Sequence, residues 1–322
     1  MATYTRWLTD LHTRARKIRA EVPGLGRYIK PPRKDRTVIV TDTSSALPEA
    51  VATTLPTGSQ LRQIAMPVMI GEQIHSDGSA DTNDELPIAL AAGTPVRTSR
   101  PAPGQFRQLY ERIAEQGYGS IVSVHVSGKI SGTVEAARLA ATQSPIPVEI
   151  VDTLTSGMAM GYAVVDAVVR GHNGIPATKL AQLIDEQATA SQVYFTVPNL
   201  DQLRKGGRIP PLTGLLGQLL QVRPVLTLNE GAIQLMDRPR NFAKAQQIMV
   251  DKVAQAATQR PIRLAVHGYG NLDSAMELAA RIDEYSTSPV PVLMIPAVLV
   301  AHLGLGALGV SISPELDYST IL

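Results

Sequence analysis

The sequence predicts an α/β protein of two domains, a parallel α/β/α domain followed by a mixed α/β domain. In the first half, short β-branched runs alternate with helical segments of about ten to fifteen residues, which is typical of parallel sheets built from βαβ units. In the second half, Asn229-Glu230-Gly231 lies between two apolar runs and predicts an antiparallel hairpin. The 322 residues, 44% of them hydrophobic, are enough for two domains with buried cores of their own.

Residues 1–36 are predicted to be a basic N-terminal extension and linker. They hold ten basic and three acidic residues, a net charge of +7, whereas the remainder of the chain carries −5. The extension contains no uninterrupted apolar segment of the kind found in a secretory signal, so we expect a cytoplasmic protein. Apolar residues recur at helical spacing along it: Trp7, Leu8, Leu11, Ala15 and Ile18.

This amphipathic pattern leaves two interpretations open. The helix can make a peripheral contact with the inner face of the membrane, because its basic side chains suit an anionic lipid surface. Alternatively, it can pack on its own domain or on a sister subunit. Prolines and glycines at 23–32 then predict a linker.

The N-terminal domain is predicted to span residues 37–195. Its β-branched runs indicate strands at 37–41, 63–70, 120–126 and 148–151. Helical periodicity indicates helices at 86–92, 104–116, 131–142, 156–170 and 177–190.

The C-terminal domain is predicted to span residues 196–322, because the pattern changes near residue 195. A strand is expected at 193–197, and the hairpin, helices and further strands are expected at 223–228, 232–235, 241–257, 262–267, 272–285 and 292–295. The apolar stretch 290–310 is interrupted by Pro291, Pro296 and glycines. The interrupted pattern therefore predicts a strand, a turn and a short helix rather than a membrane span.

The composition excludes several classes of function. The chain has no cysteine, which excludes disulfides, zinc ribbons, iron–sulfur clusters and thiol catalysis and fits a reducing cytoplasm. Only 4% of the residues are aromatic, so a platform that stacks nucleic-acid bases is not expected. The six histidines show no metal-ligand spacing, so we expect neither a metal nor a cofactor.

Two loops that precede helices are candidate anion sites. The loop at 127–133 joins a strand to a helix and offers hydroxyls, glycines and free backbone N–H groups, which suit a carboxylate or a phosphate. Capping of the helix by Ser131 explains the same residues equally well. The loop at 98–104 is a second hydroxyl-rich turn before a helix.

A glycine-rich turn near His302 is not a nucleotide fingerprint. Residues 304–309 match G-x-G-x-x-G, but too few residues follow them to complete a βαβ unit. No G-x-S-x-G elbow is present for a serine hydrolase. His125, within a buried-strand pattern, is expected to be a core histidine, whereas His302 is the better functional candidate.

Seven motifs in order carry a family resemblance. They lie at 40–48, 77–78, 98–106, 123–133, 151–153, 203–209 and 301–309. In this order they resemble the DegV family of bacterial fatty-acid-binding proteins, over about residues 37–313. The resemblance implies two α/β domains with a fatty-acid pocket between them.

The resemblance also implies a site and a partner. In the family, positions that match Thr98 and Ser131 hold the carboxylate, and positions that match Arg208 and His302 lie near the head group. Ser99, Gly132 and Thr133 belong to the same vicinity. Family members are not themselves catalysts, since they present the bound acid to a separate fatty acid kinase, which makes acyl phosphate for phospholipid synthesis.

The sequence departs from the family pattern at three places. Arg100 stands where glutamine is usual, Leu305 stands where proline is common, and the extension 1–36 lies outside the pattern. Arg100 adds a cation that can alter contacts with the head group or the partner.

Physical chemistry supports a lipid site, and two rival functions remain open. Burial of about fourteen methylenes at about 0.8 kcal/mol each gives a gross driving force of about 11 kcal/mol. A buried carboxylate needs hydrogen-bond donors, which the two hydroxyl turns supply. One rival is an acyl or phosphoryl transferase with Ser131 as nucleophile and His302 as base, although the sequence shows no Ser–His–acid signature. The other is a membrane-surface lipid tether, or a nucleic-acid tether, acting through the basic extension.

Overall fold

A computed structural model describes residues 2–20, 31–55, 60–172, 175–209 and 222–315. The strands are β1 (Thr37–Asp42), β2 (Leu61–Ile64), β3 (Pro67–Ile70), β4 (Gln73–Ser76), β5 (Val96–Thr98), β6 (Ser120–His125), β7 (Val148–Asp152), β8 (Gln192–Thr196), β9 (Val225–Asn229), β10 (Ala232–Asp237), β11 (Ile262–Gly268), β12 (Val292–Met294) and β13 (Leu308–Pro314). The helices are α1 (Ala2–Ala20), α2 (Glu49–Thr54), α3 (Ala80–Ala92), α4 (Pro103–Glu115), α5 (Thr133–Ala141), α6 (Gly157–His172), α7 (Ala177–Ala190), α8 (Asp201–Lys205), α9 (Phe242–Ala257), α10 (Leu272–Ile282) and α11 (Ala297–Leu303).

The first half forms the predicted parallel α/β/α layers. Strands pair in the order β2-β1-β6-β7, and each pair is parallel. Alternate residues of β1 enter different cores, because successive side chains of a strand point to opposite faces. Val38 and Val40 pack with α4 and α5, whereas Ile39 packs with α6 and α7. Both faces of the sheet are therefore covered by helices, as a parallel sheet requires.

The second half forms a mixed sheet, as predicted. Six strands pair in the order β10-β9-β8-β13-β11-β12, and only β11 and β12 are parallel neighbours among them. The Asn229–Gly231 turn does form the β9–β10 hairpin. Helices α9 and α10 cover one face of this sheet, and its other face looks toward the first half of the molecule.

A shared core and a buried ion pair are among the features that join the halves. A small antiparallel sheet, β4-β3-β5, packs with α3 and α11, so that residues from both halves share one core. Arg263 of β11 also makes a buried ion pair with Asp166 of α6, with nitrogen–oxygen distances of 2.5 and 3.0 Å. Buried pairs of this kind fix an arrangement, because removal of either partner leaves a charge without compensation.

The extension forms the predicted amphipathic helix, α1, and the helix packs on its own chain. Trp7, Leu11 and Ala15 are buried in the core that also contains α6 and α2. Arg14 binds Glu315 at 2.6 Å and donates to the carbonyl of Thr287. The described part of the apolar face of α1 therefore packs on the protein itself.

The main differences from the predicted elements concern strands. The run 63–70 is not one strand but β2 and β3, which belong to different sheets and are separated at residues 65–66. The short strands β4 and β5 were not predicted. The largest difference is β13, a buried central strand, where the sequence analysis predicted only a glycine turn after 304.

Strand pairing divides the chain slightly earlier than the predicted domain boundary does. Strand β8 starts before the predicted boundary at 195, yet its neighbours are β9 and β13 of the second half. The division at 195 stays a prediction, and strand pairing would shift it to before Gln192. Among the helices of the described ranges, none has the length and apolar character needed to cross a membrane.

Candidate functional site

A cavity of about 420 Å³ lies between the two halves. This volume is within the usual range for small-molecule pockets, about 300–1,000 Å³. Its walls are largely apolar, and its polar side chains come from loops and strand ends of both halves. Apolar lining residues include Met66, Val126, Val193, Phe195, Leu228, Ile233, Ile295 and Leu299.

The cavity collects nearly all of the site residues that the sequence analysis proposed. Thr98, Ser99, Arg100, Ser131, Gly132, Arg208 and His302 all line it. Thr133 does not line it but lies next to it, fully buried at the start of α5. Leu305 packs in the shared core rather than in the cavity wall. These positions come from four separate segments of the chain, so their proximity is a result of the fold.

Thr98 and His302 form the contact that joins the two halves at the polar part of the cavity. Thr98 ends β5 in the first half, and His302 lies in the last turn of α11 in the second. The Thr98 Oγ1 and His302 Nε2 atoms are 2.7 Å apart. Nδ1 of His302 has no hydrogen-bond partner among the described residues.

The electrostatic environment keeps His302 neutral. Burial, together with the positive charge of Arg208, lowers the pKa of His302 to about 4. A neutral imidazole has one N–H, so it can either donate to or accept from Thr98. The threonine hydroxyl, which has one proton of its own, is therefore free to donate to a ligand when His302 carries its proton on Nε2.

Ser131 belongs to a compact loop that starts α5. The loop folds back on itself, since the N–H groups of Ile130 and Ser131 both donate to the carbonyl of Ser127 at 3.1 Å. Ser131 Oγ accepts from the Thr133 N–H at 3.3 Å and is 2.8 Å from the Thr133 hydroxyl. Ser131 is therefore not the N-cap of α5, which is Gly132 without a side-chain cap bond; its hydroxyl instead accepts from the first N–H of the helix, which is compatible with a role in ligand binding.

Two arginines border this loop. Arg208 Nε donates to the carbonyl of Ile130 at 3.1 Å, which ties the second half to the loop. Arg100 lies against Gly132, where a Cβ would come within 2.8 Å of its Nη1. The guanidinium of Arg100, at the cavity wall, makes no hydrogen bond or ion pair to the described part of the chain, so no carboxylate of that part is paired with its charge.

Asp77 binds the N-terminal end of α11 and holds this helix in position. This residue, from the Asp-Gly motif after β4, accepts a hydrogen bond from the N–H of Ala297 at 2.9 Å. A carboxylate at a helix N-terminus is favourable, because the first N–H groups lack partners within the helix. Burial raises the pKa of Asp77. The motif thus positions the helix that carries His302.

A buried Ser–His–Asp array exists, which the sequence analysis did not anticipate. His125 Nδ1 is 2.9 Å from Asp42, and its Nε2 is 2.7 Å from Ser123 Oγ. All three are completely buried, Ser123 also accepts from Tyr110 at 2.8 Å, and none of them lines the cavity. Because no substrate can reach Ser123, the array is structural, and His125 is a core histidine as expected.

The proposed nucleophile and base of a transferase are not paired. His302 bonds to Thr98, and Ser131 bonds to Thr133, and no hydrogen bond within the described residues joins His302 to Ser131. A nucleophile needs its base within hydrogen-bond distance. In the described ranges, no group of three or more potential metal ligands lies together either.

Sequence analysis missed further polar residues in the cavity wall. Ser44, Ser156, His267 and Ser311 line the cavity. His267 and Ser311 lie on β11 and on β13, and the latter strand was not predicted. The signal available for His267 was its place before Gly268 at the end of a buried strand, where ligand sites of α/β sheets occur.

The chain matches known proteins over almost all of the described fold. A family profile described as "Uncharacterised protein, DegV family" matches residues 36–315. A DegV domain-containing protein of Streptomyces coelicolor is 34% identical over 277 residues, which make up 85% of this chain and 97% of that relative.

Solved structures agree with the fold. A DegV family protein of Thermus thermophilus, described as fatty acid binding, has a TM-score of 0.79 and 30% identity, covering 87% of this chain and 100% of that one. A fatty acid binding DegV family protein of Streptococcus agalactiae has a TM-score of 0.80 at 24% identity, covering 87% and 99% of the two chains. The profile and the Streptomyces relative establish that the chain belongs to the DegV family.

Proposed function

We propose that this protein binds one long-chain fatty acid in the cavity and presents its carboxylate to a separate fatty acid kinase. The observation that carries the proposal is the asymmetry of the cavity. Hydroxyls and two arginines gather near Thr98 and Ser131, whereas the remaining wall is largely apolar. The Thermus thermophilus relative is described as fatty acid binding, which supports the same ligand class here.

The hydrogen bonds around Thr98 and Ser131 suit a carboxylate, which only accepts. His302 can donate Nε2–H to Thr98, so that the threonine proton points to the ligand. Ser131 Oγ already accepts from the Thr133 N–H and can also accept from the Thr133 hydroxyl. Its own proton is then available to the ligand. Hydrogen bonds to a charged acceptor contribute about 1.5–3 kcal/mol each.

Charge and apolar burial complete the binding site. Arg208 and Arg100 offset the negative charge that a carboxylate brings into a partly buried place. The acyl chain is covered by apolar side chains such as Phe195, Leu228 and Ile233. Each buried methylene contributes about 0.8 kcal/mol before the cost of ordering the ligand.

The same arrangement supports presentation rather than turnover. Ser131 and His302 are not paired as nucleophile and base, so the carboxylate has an anchor but no attacking group beside it. Ser99 and Arg100 are exposed at the cavity wall, where a partner kinase with ATP can approach the head group. We place this step in the cytoplasm and in phospholipid synthesis, as the family resemblance implies.

The rival function as a lipid tether at the membrane has less support. A surface-seeking helix needs an exposed apolar face. The described apolar residues of α1 that are fully buried, Trp7, Leu11 and Ala15, pack on this protein instead. A membrane role would therefore require α1 to detach.

Mass spectrometry under native and denaturing conditions tests the ligand. The gently purified protein should carry about one fatty acid per chain. Thr98→Ala with Ser131→Ala should keep the fold and lose at least tenfold in affinity, since two charge-assisted hydrogen bonds are removed. The matched control, Thr142→Ala with Thr258→Ala, removes exposed threonine hydroxyls away from the cavity and should bind as the wild type does. Unchanged affinity of the folded double variant would reject the assignment.

A reconstituted reaction tests the partner. The protein alone should neither hydrolyse nor transfer acyl groups, and addition of a fatty acid kinase and ATP should yield acyl phosphate. His302→Ala should hinder this step more than it hinders binding. Turnover by the protein alone that His302→Ala abolishes would favour the transferase instead.

A further inference from the structure

A second polar position lies in the cavity wall, around His267. This residue lies on β11 between Gly309 of β13 and Leu293 of β12. It lines the cavity together with Ser311 and Gly157, the first residue of α6. None of these residues has a part in the proposed recognition of the carboxylate.

The hydrogen bonds of His267 fix the position of its proton. Nε2 lies 3.3 Å from the backbone nitrogen of Met158, whose N–H points to it. A backbone N–H can only donate, so Nε2 accepts and carries no proton. Every imidazole carries at least one proton, which must then be on Nδ1. Ser311 Oγ, 3.2 Å from Nε2, is a second donor to the same atom.

The proton on Nδ1 has no acceptor among the residues that the structure describes. Nδ1 of His267 is without a hydrogen-bond partner in the part of the chain that is described, and the side chain is only 7% exposed. Buried donors are nearly always paired, because an unpaired one keeps its full desolvation cost. Gly309, the neighbour of His267 on β13, has no side chain to accept this proton, and the Ser311 hydroxyl is bonded to Nε2 instead. Because His267 lines the cavity, an occupant of the cavity can supply the acceptor that the described residues do not.

We propose that the cavity selects an acyl chain with a neutral oxygen, a hydroxyl or an oxo group, part-way along its length, and that His267 Nδ1–H donates to this oxygen. The inference rests on the proposed function and specifies the class of fatty acid. A carboxylate is a poorer occupant of this place than a neutral oxygen. The arginines lie at the other polar position, and no hydrogen bond among the described residues connects His267 with Thr98, Ser131, Arg208 or His302.

The electrostatic surroundings support a neutral partner. Burial alone lowers the pKa of His267 to about 4, whereas the charge of Arg208 adds to the lowering at His302. His267 is thus a neutral donor without a nearby compensating charge. A site with an unpaired polar group discriminates strongly against a ligand that leaves the group unpaired.

Competition between matched acids tests the inference. The full chain, freed of lipid, is titrated with stearic acid and with a series of its hydroxy and oxo positional isomers. At least one isomer should bind about tenfold more tightly than stearic acid. His267→Phe keeps an aromatic ring without Nδ1–H and should abolish the preference while stearic acid still binds. Ser311→Ala keeps Nδ1–H and should retain the preference.

A measurement on the wild-type protein covers the case in which His267→Phe fails to fold. With ¹⁵N-labelled histidine, the Nδ1–H resonance of His267 should move on binding of the preferred isomer and not on binding of stearic acid. If stearic acid binds and no isomer binds more tightly, the inference is wrong and the proposed function stands. If no acid binds at all, the proposed function itself fails. A preference that persists in folded His267→Phe also overturns the inference.

Discussion

Two histidine clusters of the molecule differ in how completely their polar atoms are paired. His125, with Asp42 and Ser123, uses both ring nitrogens within the protein and lies outside the cavity. His302 uses one nitrogen toward Thr98, leaves the other without a partner among the described residues, and lines the cavity. The first cluster joins β1 to β6 of the parallel sheet, and the second has hydrogen-bonding capacity that no described residue uses.

This comparison shows that the types of polar residue in a cluster do not by themselves identify a functional site. The paired cluster contains serine, histidine and aspartate, the constituents of a catalytic triad, yet it is structural because it is closed to the cavity. The cavity cluster lacks an acid but has unused donors and uncompensated arginines. Changes in the first should therefore affect stability, and changes in the second should affect binding.

Replacement of Asp42 gives the largest expected effect. Its carboxylate accepts from the Ser44 N–H at 3.0 Å, from the Ser44 hydroxyl, from His125 and from the Val126 N–H at 3.2 Å. Asp42→Ala leaves these buried donors unpaired and should lower the free energy of unfolding by about 3–5 kcal/mol. Urea unfolding followed by circular dichroism measures the loss.

The control for this prediction lies in the other cluster. Thr98→Val removes one partly buried hydroxyl at the cavity and should change the free energy of unfolding by no more than about 1 kcal/mol. A loss for Asp42→Ala as small as the loss for Thr98→Val would remove the distinction between the clusters.

The pH dependence of stability gives the next effect. The pKa of each of His267 and His302 is lowered to about 4 in the folded state, below the ordinary 6.5. The unfolded chain therefore binds more protons between these values, so stability falls as pH decreases through this window. Between pH 7 and pH 5 each histidine should reduce the free energy of unfolding by about 2 kcal/mol.

A variant isolates this histidine contribution. His302→Gln keeps a donor for Thr98 but cannot titrate, so its free energy of unfolding should fall less steeply than that of the wild type. The buried Asp77 carboxyl, whose pKa is raised, acts in the opposite direction, so the difference between the two proteins is the quantity to compare. Parallel pH profiles would show that His302 titrates normally in the folded protein.

Gly206 gives the smallest of these effects and concerns binding. A Cβ at this position would lie 2.3 Å from His302 Nδ1, although its φ of −75° is suitable for alanine. Gly206→Ala should displace the imidazole from Thr98 and weaken fatty-acid binding about tenfold, equivalent to about 1.4 kcal/mol. Isothermal titration with a long-chain acid measures the change.

The neighbouring glycine provides the matched control. Gly207 has a φ of +67°, and no described atom lies within 4 Å of the place that a Cβ would take. Gly207→Ala should therefore lower stability through backbone strain while affinity stays near that of the wild type. Equal loss of affinity in both variants would mean that the ring of His302 has no specific role.

The prediction from sequence succeeded where local pattern and tertiary structure agree. The β-branched run of β1 forms a strand, and the periodic segments of α6 and α7 form helices, as their local patterns predict. The fold class and the DegV family are confirmed. Thr98, Ser131, Arg208 and His302 were selected by motif and meet at one cavity, while their role in binding stays a prediction.

The failures have physical causes. Strand β13 contains Gly309 and follows a glycine turn, so its local pattern indicates a loop; its strand conformation comes from pairing on both sides with β8 and β11. His267 was not selected because its significance depends on an unpaired nitrogen, which only the arrangement around Met158 and Ser311 reveals.

The contacts across the cavity join residues that are far apart in sequence, so they can form only late in synthesis. Thr98 meets His302 across 204 positions, and Asp77 meets Ala297 across 220. Strand β13 enters the middle of its sheet although it is the last strand of the described chain. N-terminal segments emerge from the ribosome and begin to fold first. A nascent chain that ends before α11 thus has the hydroxyl loops but lacks His302, so the proposed ligand would stabilise only the nearly finished molecule.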